Sequence, residues 1–287
     1  MLATRTSPAT NRLWGIVLAG GTGERRGRCR PSVPDPVQLR QTLDRVNRLI
    51  PRERLVAVLA RGHSECYDRA LAALPGVQRL VQPAYRGSAP GIFLPVLRIA
   101  IQDPDATVVV LPGDVGTDGE ARFMAHVARA VEAVTVRADL PVVIGAPPTT
   151  PDPGQTWIEP GGPIEGLEAY PVRSVQRFVP RPTAAELAAL WDGEGLINTR
   201  IIIAKVRALI ALGGRYLPDV LEMFEPLGQV FGAPEESLMC EAVYEEMPYA
   251  SIAHALFVRA HEVAVLPVAD VTLWRHPASA DLVRLAS

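Results

Sequence analysis

The chain is nearly free of lysine, since Lys205 is the only lysine among its 287 residues. Cysteine is also scarce: there are three, an odd number, and they lie far apart in sequence. This spacing excludes a C-x-x-C metal motif, and the odd count argues against a disulfide framework. The cysteine content therefore fits a reducing compartment best, and we expect a cytoplasmic protein.

The sequence also lacks a long apolar run and a strong excess of either charge. No segment approaches the ~18 apolar residues of a membrane span, so we expect no membrane association. Residues 1–12 have no apolar run and predict a flexible leader, not a signal peptide. The formal net charge of −2 gives no general attraction to nucleic acid, and we expect no nucleic-acid partner.

A glycine-rich turn follows the first apolar strand. The strand Ile16–Ala19 leads into Gly-Gly-Thr-Gly-Glu-Arg, residues 20–25. Glycines let successive backbone N–H groups approach phosphate oxygens, and Arg25 adds a forked cation. The turn does not match the dinucleotide motif, whose third glycine is Arg26 here, or the P-loop, which needs a lysine. A phosphate cradle and a plain tight strand-to-helix turn both remain open.

Apolar strands alternate with helical patterns through the first half of the chain. After the first strand, the predicted strands cover 55–59, 77–81, 106–111 and 141–145, and the predicted helices 38–50, 64–74, 91–101 and 123–134. This alternation predicts an α/β fold with a Rossmann-like, mostly parallel sheet and helices on both faces. Ligands bind beyond the carboxyl ends of such strands, which here are followed by residues 20–25, 82–88 and 113–114.

The second half changes character after a proline-rich turn at residues 147–153. Short strands and helices are mixed there, and a capping box, Thr183 with Glu186, marks the start of a helix. We predict one domain over residues 13–287, with a nucleotide-binding half at 13–146 and a lid or acceptor lobe at 147–287.

Six motifs in one order resemble those of the sugar-1-phosphate nucleotidyltransferases, most closely the mannose-1-phosphate guanylyltransferase branch. They are Leu18–Arg25, Gln82–Pro90, Leu111–Asp114, Trp157–Pro160, Arg177–Pro182 and Asn198. The similarity runs over nearly the whole chain, from about Leu13 to Leu285. It implies the nucleotidyltransferase, or GT-A-like, version of the α/β fold.

The resemblance also implies roles for single residues. The implied nucleotide-binding residues are Leu18, Ala19, Gly20, Gly21, Gly23, Gln82, Gly87 and Ser88, the implied catalytic residues are Arg25, Asp114 and Arg181, and the implied sugar-binding residues are Glu159 and Asn198. Within these sets, Gln82 and Gly87 would read the base and Asp114 would hold Mg²⁺. A carboxylate suits a hard cation, and amides and carboxylates orient hydroxyl groups.

The reaction implied by the family is attack of a sugar-phosphate oxygen on the α-phosphorus of a nucleoside triphosphate, with pyrophosphate leaving. Positive charge and positioning supply most of the catalysis in such transfers. The implied partners are GTP and mannose 1-phosphate. A homo-oligomer or a regulatory partner is left open.

Several positions depart from the family pattern at points where it carries charge. They are Val37 for a lysine, Val115 for a histidine, Arg181 for a second lysine, and Arg275 for the second metal-binding aspartate. Arginine would repel Mg²⁺, so the usual two-aspartate site cannot form from these positions. Asp118 and Asp270 are the candidate substitutes, with a helix cap and a turn residue as the plainer and favoured interpretations.

Three interpretations of function therefore stand side by side. The first is an active nucleotidyltransferase, and the second is a catalytically degenerate relative that acts as a nucleotide or nucleotide-sugar sensor or a partner subunit. The third, another nucleotide-binding enzyme with a coincidental glycine loop, is disfavoured by the ordered motifs. Plainer roles also exist for Arg25 as a surface ion pair, Asp114 as the cap of a helix near Gly116, and Glu159 as a solvated charge.

Overall fold

A computed structural model describes residues 12–20, 24–25, 28–29 and 36–275 of the chain. Most of the proposed leader, together with Gly21 and Gly23, lies outside the described residues. For Arg25 and Arg275 the structure describes the backbone alone.

The described strands follow the predicted series closely. They are β1 (Leu13–Ala19), β2 (Glu24–Arg25), β3 (Arg28–Cys29), β4 (Leu55–Ala60), β5 (Gln78–Gln82), β6 (Thr107–Pro112), β7 (Val115–Thr117), β8 (Val142–Ala146), β9 (Thr156–Pro163), β10 (Arg173–Pro180), β11 (Leu196–Lys205), β12 (Ala264–Pro267) and β13 (Leu273–Arg275).

The described α-helices lie between these strands and in the second half of the chain. They are α1 (Pro36–Val46), α2 (Ser64–Ala72), α3 (Ser88–Gln102), α4 (Glu120–Val136), α5 (Ala184–Asp192), α6 (Val206–Tyr216), α7 (Pro218–Met223) and α8 (Glu236–Glu246). The predicted capping box opens α5, where the Thr183 hydroxyl accepts from Glu186 N at 3.3 Å and Thr183 N donates to Glu186 Oε2 at 3.0 Å.

A nine-stranded sheet organises the chain in the order β5-β4-β1-β6-β11-β8-β12-β10-β9. The first four strands are mutually parallel, and β11 runs antiparallel to both β6 and β8. Consequently β6 and β8 point in the same direction. The carboxyl ends of β1, β4, β5, β6 and β8 therefore share one edge of the sheet, where the sequence predicts the ligand site.

Both faces of this sheet are covered, as continuous apolar strands predict. In β6, Val108 and Val110 belong to a core that includes α3, α6 and α8, while Val109 and Leu111 belong to a second core with α1, α2 and α4. Successive side chains of a strand point to opposite faces, so both faces of β6 are apolar. The prediction of an α/β fold with helices on both faces is confirmed.

The second half differs from a simple open sheet. Strand β9 pairs with β10 and also with β11, where Leu196 lies opposite Ile158 and Ile197 opposite Trp157. Strands β11, β8, β12, β10 and β9 thereby close a five-stranded ring. Register shifts in β10 and β11 accompany this closure, because bulges bend strands and increase their twist. The prediction of a simple Rossmann-like sheet is corrected here.

Candidate functional site

The loops after β1 and β6 meet at the carboxyl edge of the sheet. Gly113 N donates a hydrogen bond of 2.9 Å to the carbonyl oxygen of Leu18. In the parallel ladder, Leu18 lies opposite Pro112 and Ala19 opposite Leu59, so Gly20 leaves the sheet beside the turn that carries Asp114. The structure thus brings two of the three predicted strand-end sites together.

Gln82, at the end of β5, reaches the same place from two strands away. A Cβ atom added to Gly20 would lie 2.6 Å from Gln82 Nε2, so glycine allows the amide to approach the backbone. The Gln82 side chain is buried, and the hydroxyl of Tyr244 donates to its Oε1 at 3.3 Å. Gln82, the predicted base-reading residue, therefore lies against Gly20, and the hydroxyl of Tyr244 holds its side-chain amide in position.

The loop that follows Gln82 is held against the last turn of α8 and the segment after it. Arg86 donates to the carbonyl oxygens of Tyr244 and Glu245 at 3.0 and 2.8 Å, and Ala250 N donates to Arg86 O at 3.0 Å. Gly87 lies against the Ala250 peptide with a φ of 91°. These contacts fix the loop in place before a ligand arrives.

Ser88 begins α3 and has a structural contact of its own. Its Oγ accepts a hydrogen bond from Ile252 N at 2.9 Å. The hydroxyl hydrogen remains a donor, because a serine hydroxyl both donates and accepts. The serine can therefore anchor the loop and still offer a donor to a nucleotide.

Asp114 is half-buried between β6 and β7. The residues after it form the strand β7, so the interpretation of Asp114 as the cap of a helix near Gly116 is wrong. Strand β13 pairs with β7 and sets the backbone of Arg275 opposite Val115, next to Asp114 in sequence. A cationic residue type is thus positioned beside the predicted metal ligand.

The two substitute carboxylates already have partners. Asp118 Oδ1 accepts from Thr272 N at 2.9 Å, and this hydrogen bond lowers the pKa of Asp118. Asp270 Oδ1 lies 2.5 Å from His126 Nε2, a contact that lowers the pKa of Asp270. The favoured interpretation of Asp118 as a helix cap is wrong, because Gly119 occupies the N-cap position of α4. Across residues 36–275 and the shorter described segments, no group of three or more metal-ligating side chains occurs.

The predicted sugar-binding residues lie on the strands of the ring. Asn198 is 5% exposed, and its Oδ1 accepts from Arg200 N at 2.8 Å, while its Nδ2 is buried without a hydrogen-bond partner in the structure. Glu159 accepts from Arg177 Nε at 2.6 Å, and Arg177 also contacts Glu186 at 3.0 Å. An unpaired buried amide is costly, so Asn198 is the residue of this group that best indicates a ligand contact.

Arg181 follows β10 and is exposed, with an unusual backbone φ of 52°. Few residues other than glycine and asparagine adopt this left-handed conformation. This strained backbone at the end of β10 sets the direction in which the Arg181 side chain leaves the strand. Arg25 lies in the small β2–β3 pair, where its backbone is opposite Arg28.

Two residues near the site were not found by sequence reasoning. Tyr244 holds Gln82 from 162 positions away, and Arg45 lies beneath the loop of Asp114, where its Nη1 donates to Val115 O at 2.8 Å. Burial lowers the pKa of Arg45, against the opposing effect of Glu120. Helical spacing in α1 gives no signal that an arginine is buried.

Comparison with known proteins finds one curated relative over part of the chain and solved structures with the same fold. No family model matches the chain. The xanthan biosynthesis protein XanB of Xanthomonas campestris pv. campestris (strain B100) is 30% identical over 148 residues, which are 51% of this chain and 28% of XanB. The matched part is thus little more than a quarter of that curated relative.

Solved structures share the fold over nearly the whole chain. A mannose-1-phosphate geranyltransferase of Thermus thermophilus matches with a TM-score of 0.74 and 26% identity, over 89% of this chain and 74% of the other. A mannose-6-phosphate isomerase of Helicobacter pylori matches with a TM-score of 0.68 and 15% identity, over 91% and 99%. A UDP-glucose pyrophosphorylase bound to UDP-glucose matches with a TM-score of 0.50 and 10% identity, over 88% and 89%.

These likenesses show the fold of the chain. The chain has the α/β fold of the sugar nucleotidyltransferases, and the resemblance indicated by its motifs is confirmed. No described helix is long and apolar enough to cross a membrane.

Proposed function

We propose that this protein transfers a nucleoside monophosphate, GMP from GTP, to a sugar 1-phosphate, mannose 1-phosphate, and releases pyrophosphate. The observation that carries the proposal is the meeting of Leu18, Gly20, Gln82 and the Gly113–Asp114 turn at one edge of the sheet. This edge is where α/β sheets bind ligands.

The nucleotide would be held by backbone and side-chain donors. N–H groups of the glycine turn and Arg25 would meet the phosphates, while the amide of Gln82 would face the base from behind Gly20. An amide both donates and accepts, so it can discriminate bases by their hydrogen-bonding edge. The loop around Gly87 and Ser88 would close the other side of the base.

The acceptor would approach from the ring strands. Asn198 Nδ2, which is buried and unpaired, would donate to a sugar hydroxyl. Arg181 would attract the sugar phosphate, whose oxygen attacks the α-phosphorus in line while pyrophosphate leaves. Glu159 would contact the sugar after exchanging its ion pair with Arg177, so the second half of the chain would serve as an acceptor lobe.

Mg²⁺ fits this site only as an ion carried by the triphosphate. Asp114 is half-buried at the edge, and Asp118 and Asp270 are engaged by Thr272 and His126. Mg²⁺ is commonly held by one or two carboxylates together with substrate phosphates. Asp114, which follows β6 at this edge, would be the one carboxylate that holds the ion, and the bound ion would neutralise phosphate charge.

A second candidate is a catalytically degenerate protein that binds a nucleotide or nucleotide sugar, or serves as a partner subunit. The position of Arg275 opposite Val115, next to Asp114, favours it. Ligand binding would persist in that case without turnover. A nucleotide bound without Mg²⁺ would suit a site that has a cation in place of the second carboxylate.

Pyrophosphate release with several triphosphate and sugar-phosphate pairs separates the two candidates. Turnover with any pair supports the enzyme, and Asp114→Asn should then lower kcat by about 10²–10³-fold because a positioned charge contact is lost. Asp270→Asn is the matched control and should leave kcat nearly unchanged. Unchanged turnover in Asp114→Asn would refute the assigned mechanism.

Calorimetric titration with GTP and GDP-mannose, with and without Mg²⁺, addresses the remaining case. Binding without turnover and without dependence on Mg²⁺ would support the degenerate protein. If neither ligand binds and no pair turns over, the enzyme and the nucleotide sensor both fail, and the partner-subunit form of the second candidate would be tested by light scattering and pull-down.

A further inference from the structure

A cleft of about 480 Å³ lies beside β5, which is an edge strand of the nine-stranded sheet. Its walls come from β5, α3 and α8 and from the chain that leads into α8. Its volume lies in the range of ordinary small-molecule sites. None of the residues assigned above to the nucleotide or the sugar lines it, so the cleft is separate from the candidate active site.

The lining combines cations with an apolar floor. Arg61, Arg79 and Arg98 line the cleft together with one carboxylate, that of Glu236. Apolar side chains also line the cleft: Val81 and Pro234 are exposed and Pro83 is half-buried, whereas Leu80, Leu94 and Leu227 are buried. Arginine forks match the geometry of phosphate oxygens, and the accessible Val81, Pro83 and Pro234 suit a small apolar or ring-shaped group.

Two of the three arginines hold helix α8 in place. Arg98 Nη1 lies 2.9 Å from Glu236 Oε1, and Arg61 Nη2 lies 2.8 Å from Glu241 Oε1. Both carboxylates belong to α8, while both arginines belong to the body of the domain. An anion in the cleft would compete with α8 for the same guanidinium groups.

The opposite end of α8 reaches the candidate nucleotide site. Cys240 lines the cleft, and one turn later Tyr244 donates its hydroxyl hydrogen to Gln82 Oε1 at 3.3 Å. The last turn of α8 also accepts the two hydrogen bonds of Arg86. A displacement of α8 would therefore change the position of Gln82 and of its loop.

We propose that this cleft binds an organic phosphate as an effector. Its phosphate would be bound by Arg61 and Arg98 in place of Glu241 and Glu236, and its organic part would rest on Val81, Pro83 and Pro234. Binding would release α8 from its ion pairs and so reach the loop that holds Gln82. Binding in the cleft does not depend on the proposed catalytic activity, whereas its effect on a ligand at Gln82 rests on the proposed nucleotide site.

Calorimetry with phenyl phosphate, inorganic phosphate and benzoate tests the ligand class on the full chain. Phenyl phosphate should bind several-fold more tightly than inorganic phosphate, because its ring covers the exposed apolar side chains of the cleft. It should also bind more tightly than benzoate, since a phosphate offers three oxygens to two arginine forks. Equal or tighter binding of benzoate would overturn the assignment to phosphate.

Three variants test whether phenyl phosphate binds in the cleft. Arg98→Gln should weaken phenyl phosphate at least tenfold, whereas Glu241→Gln should strengthen it by removing the competitor of Arg61. Arg137→Gln, an arginine paired with Asp139 on the other face of the sheet, is the matched control and should change nothing. Should Arg98→Gln fail to fold, the rise in affinity of Glu241→Gln still decides, and a fall would overturn the proposal.

Hydrogen exchange locates the bound phenyl phosphate without an enzyme assay. Saturating phenyl phosphate should protect residues 79–82 and 94–98 and speed exchange in α8 and in the loop 84–88. Protection confined to the chain around Leu18–Gly20 would mean that the probe occupies the nucleotide site, which would overturn the proposal.

Discussion

Gly87 is the position where one added methyl group should do the most harm to the candidate site. Its φ of 91° and ψ of 178° lie in a region that is open almost only to glycine. A Cβ atom there would lie 2.2 Å from the carbonyl oxygen of Ala250 and 2.7 Å from its carbonyl carbon. Both contacts are to backbone, so no side-chain rotation can relieve them.

The cost of Gly87→Ala has two parts. The unfavourable backbone conformation costs about 1–3 kcal/mol. Relief of the collision requires the two segments to part, which breaks the hydrogen bonds of Ala89 N with Ala250 O and of Ala250 N with Arg86 O, both 3.0 Å long. Each is worth about 0.5–1.5 kcal/mol. We therefore expect the free energy of unfolding to fall by about 2–6 kcal/mol.

Gly166→Ala is the matched control, because Gly166 has a φ of 80° but open space around its missing Cβ. It should cost only the backbone part, about 1–2 kcal/mol. Urea unfolding of both variants, followed by circular dichroism, measures the difference. Equal losses would mean that the close packing of Gly87 on Ala250 does not exist in solution. Hydrogen exchange should also rise in the loop 83–88 of Gly87→Ala alone.

Much of the fold could be predicted because its central strands are buried on both faces. In β1 and β6 the apolar run is continuous, and helices intervene at the expected lengths, so the βαβ series follows from pattern alone. The closure of the ring could not be predicted. It depends on the pairing of β9 with β11 and on register shifts within β10 and β11, which no local periodicity encodes.

The same division applies to the site. The turn at Gly20, the end of β5 at Gln82 and the turn at Asp114 could be placed on one edge, because parallel strands end together. The residues that hold these positions in place could not be predicted. Tyr244 comes from a helix 162 positions beyond Gln82, and the predicted roles of Glu159, Arg181 and Asp114 remain predictions because a strand end does not specify a ligand.

Two further predictions test packing and charge. Gly213→Ala in α6 should destabilise the protein by about 1–3 kcal/mol, because the added Cβ would lie 2.7 Å from Phe93 Cζ. The neighbouring Gly214 faces open space, so Gly214→Ala is the control and should stabilise the protein by about 0.5–1 kcal/mol. Urea titration measures both changes. Asp118 accepts from Thr272 N at 2.9 Å, and that hydrogen bond lowers its pKa below the ordinary 3.8. Because the folded-state pKa lies below the unfolded-state value, the ionised carboxylate stabilises the fold above about pH 4, and this contribution is lost as the pH falls through the folded-state pKa. Unfolding free energies of the wild type and of Asp118→Asn should therefore differ at pH 7 and converge near pH 2; a difference that stays constant with pH would show that the charge of Asp118 contributes nothing.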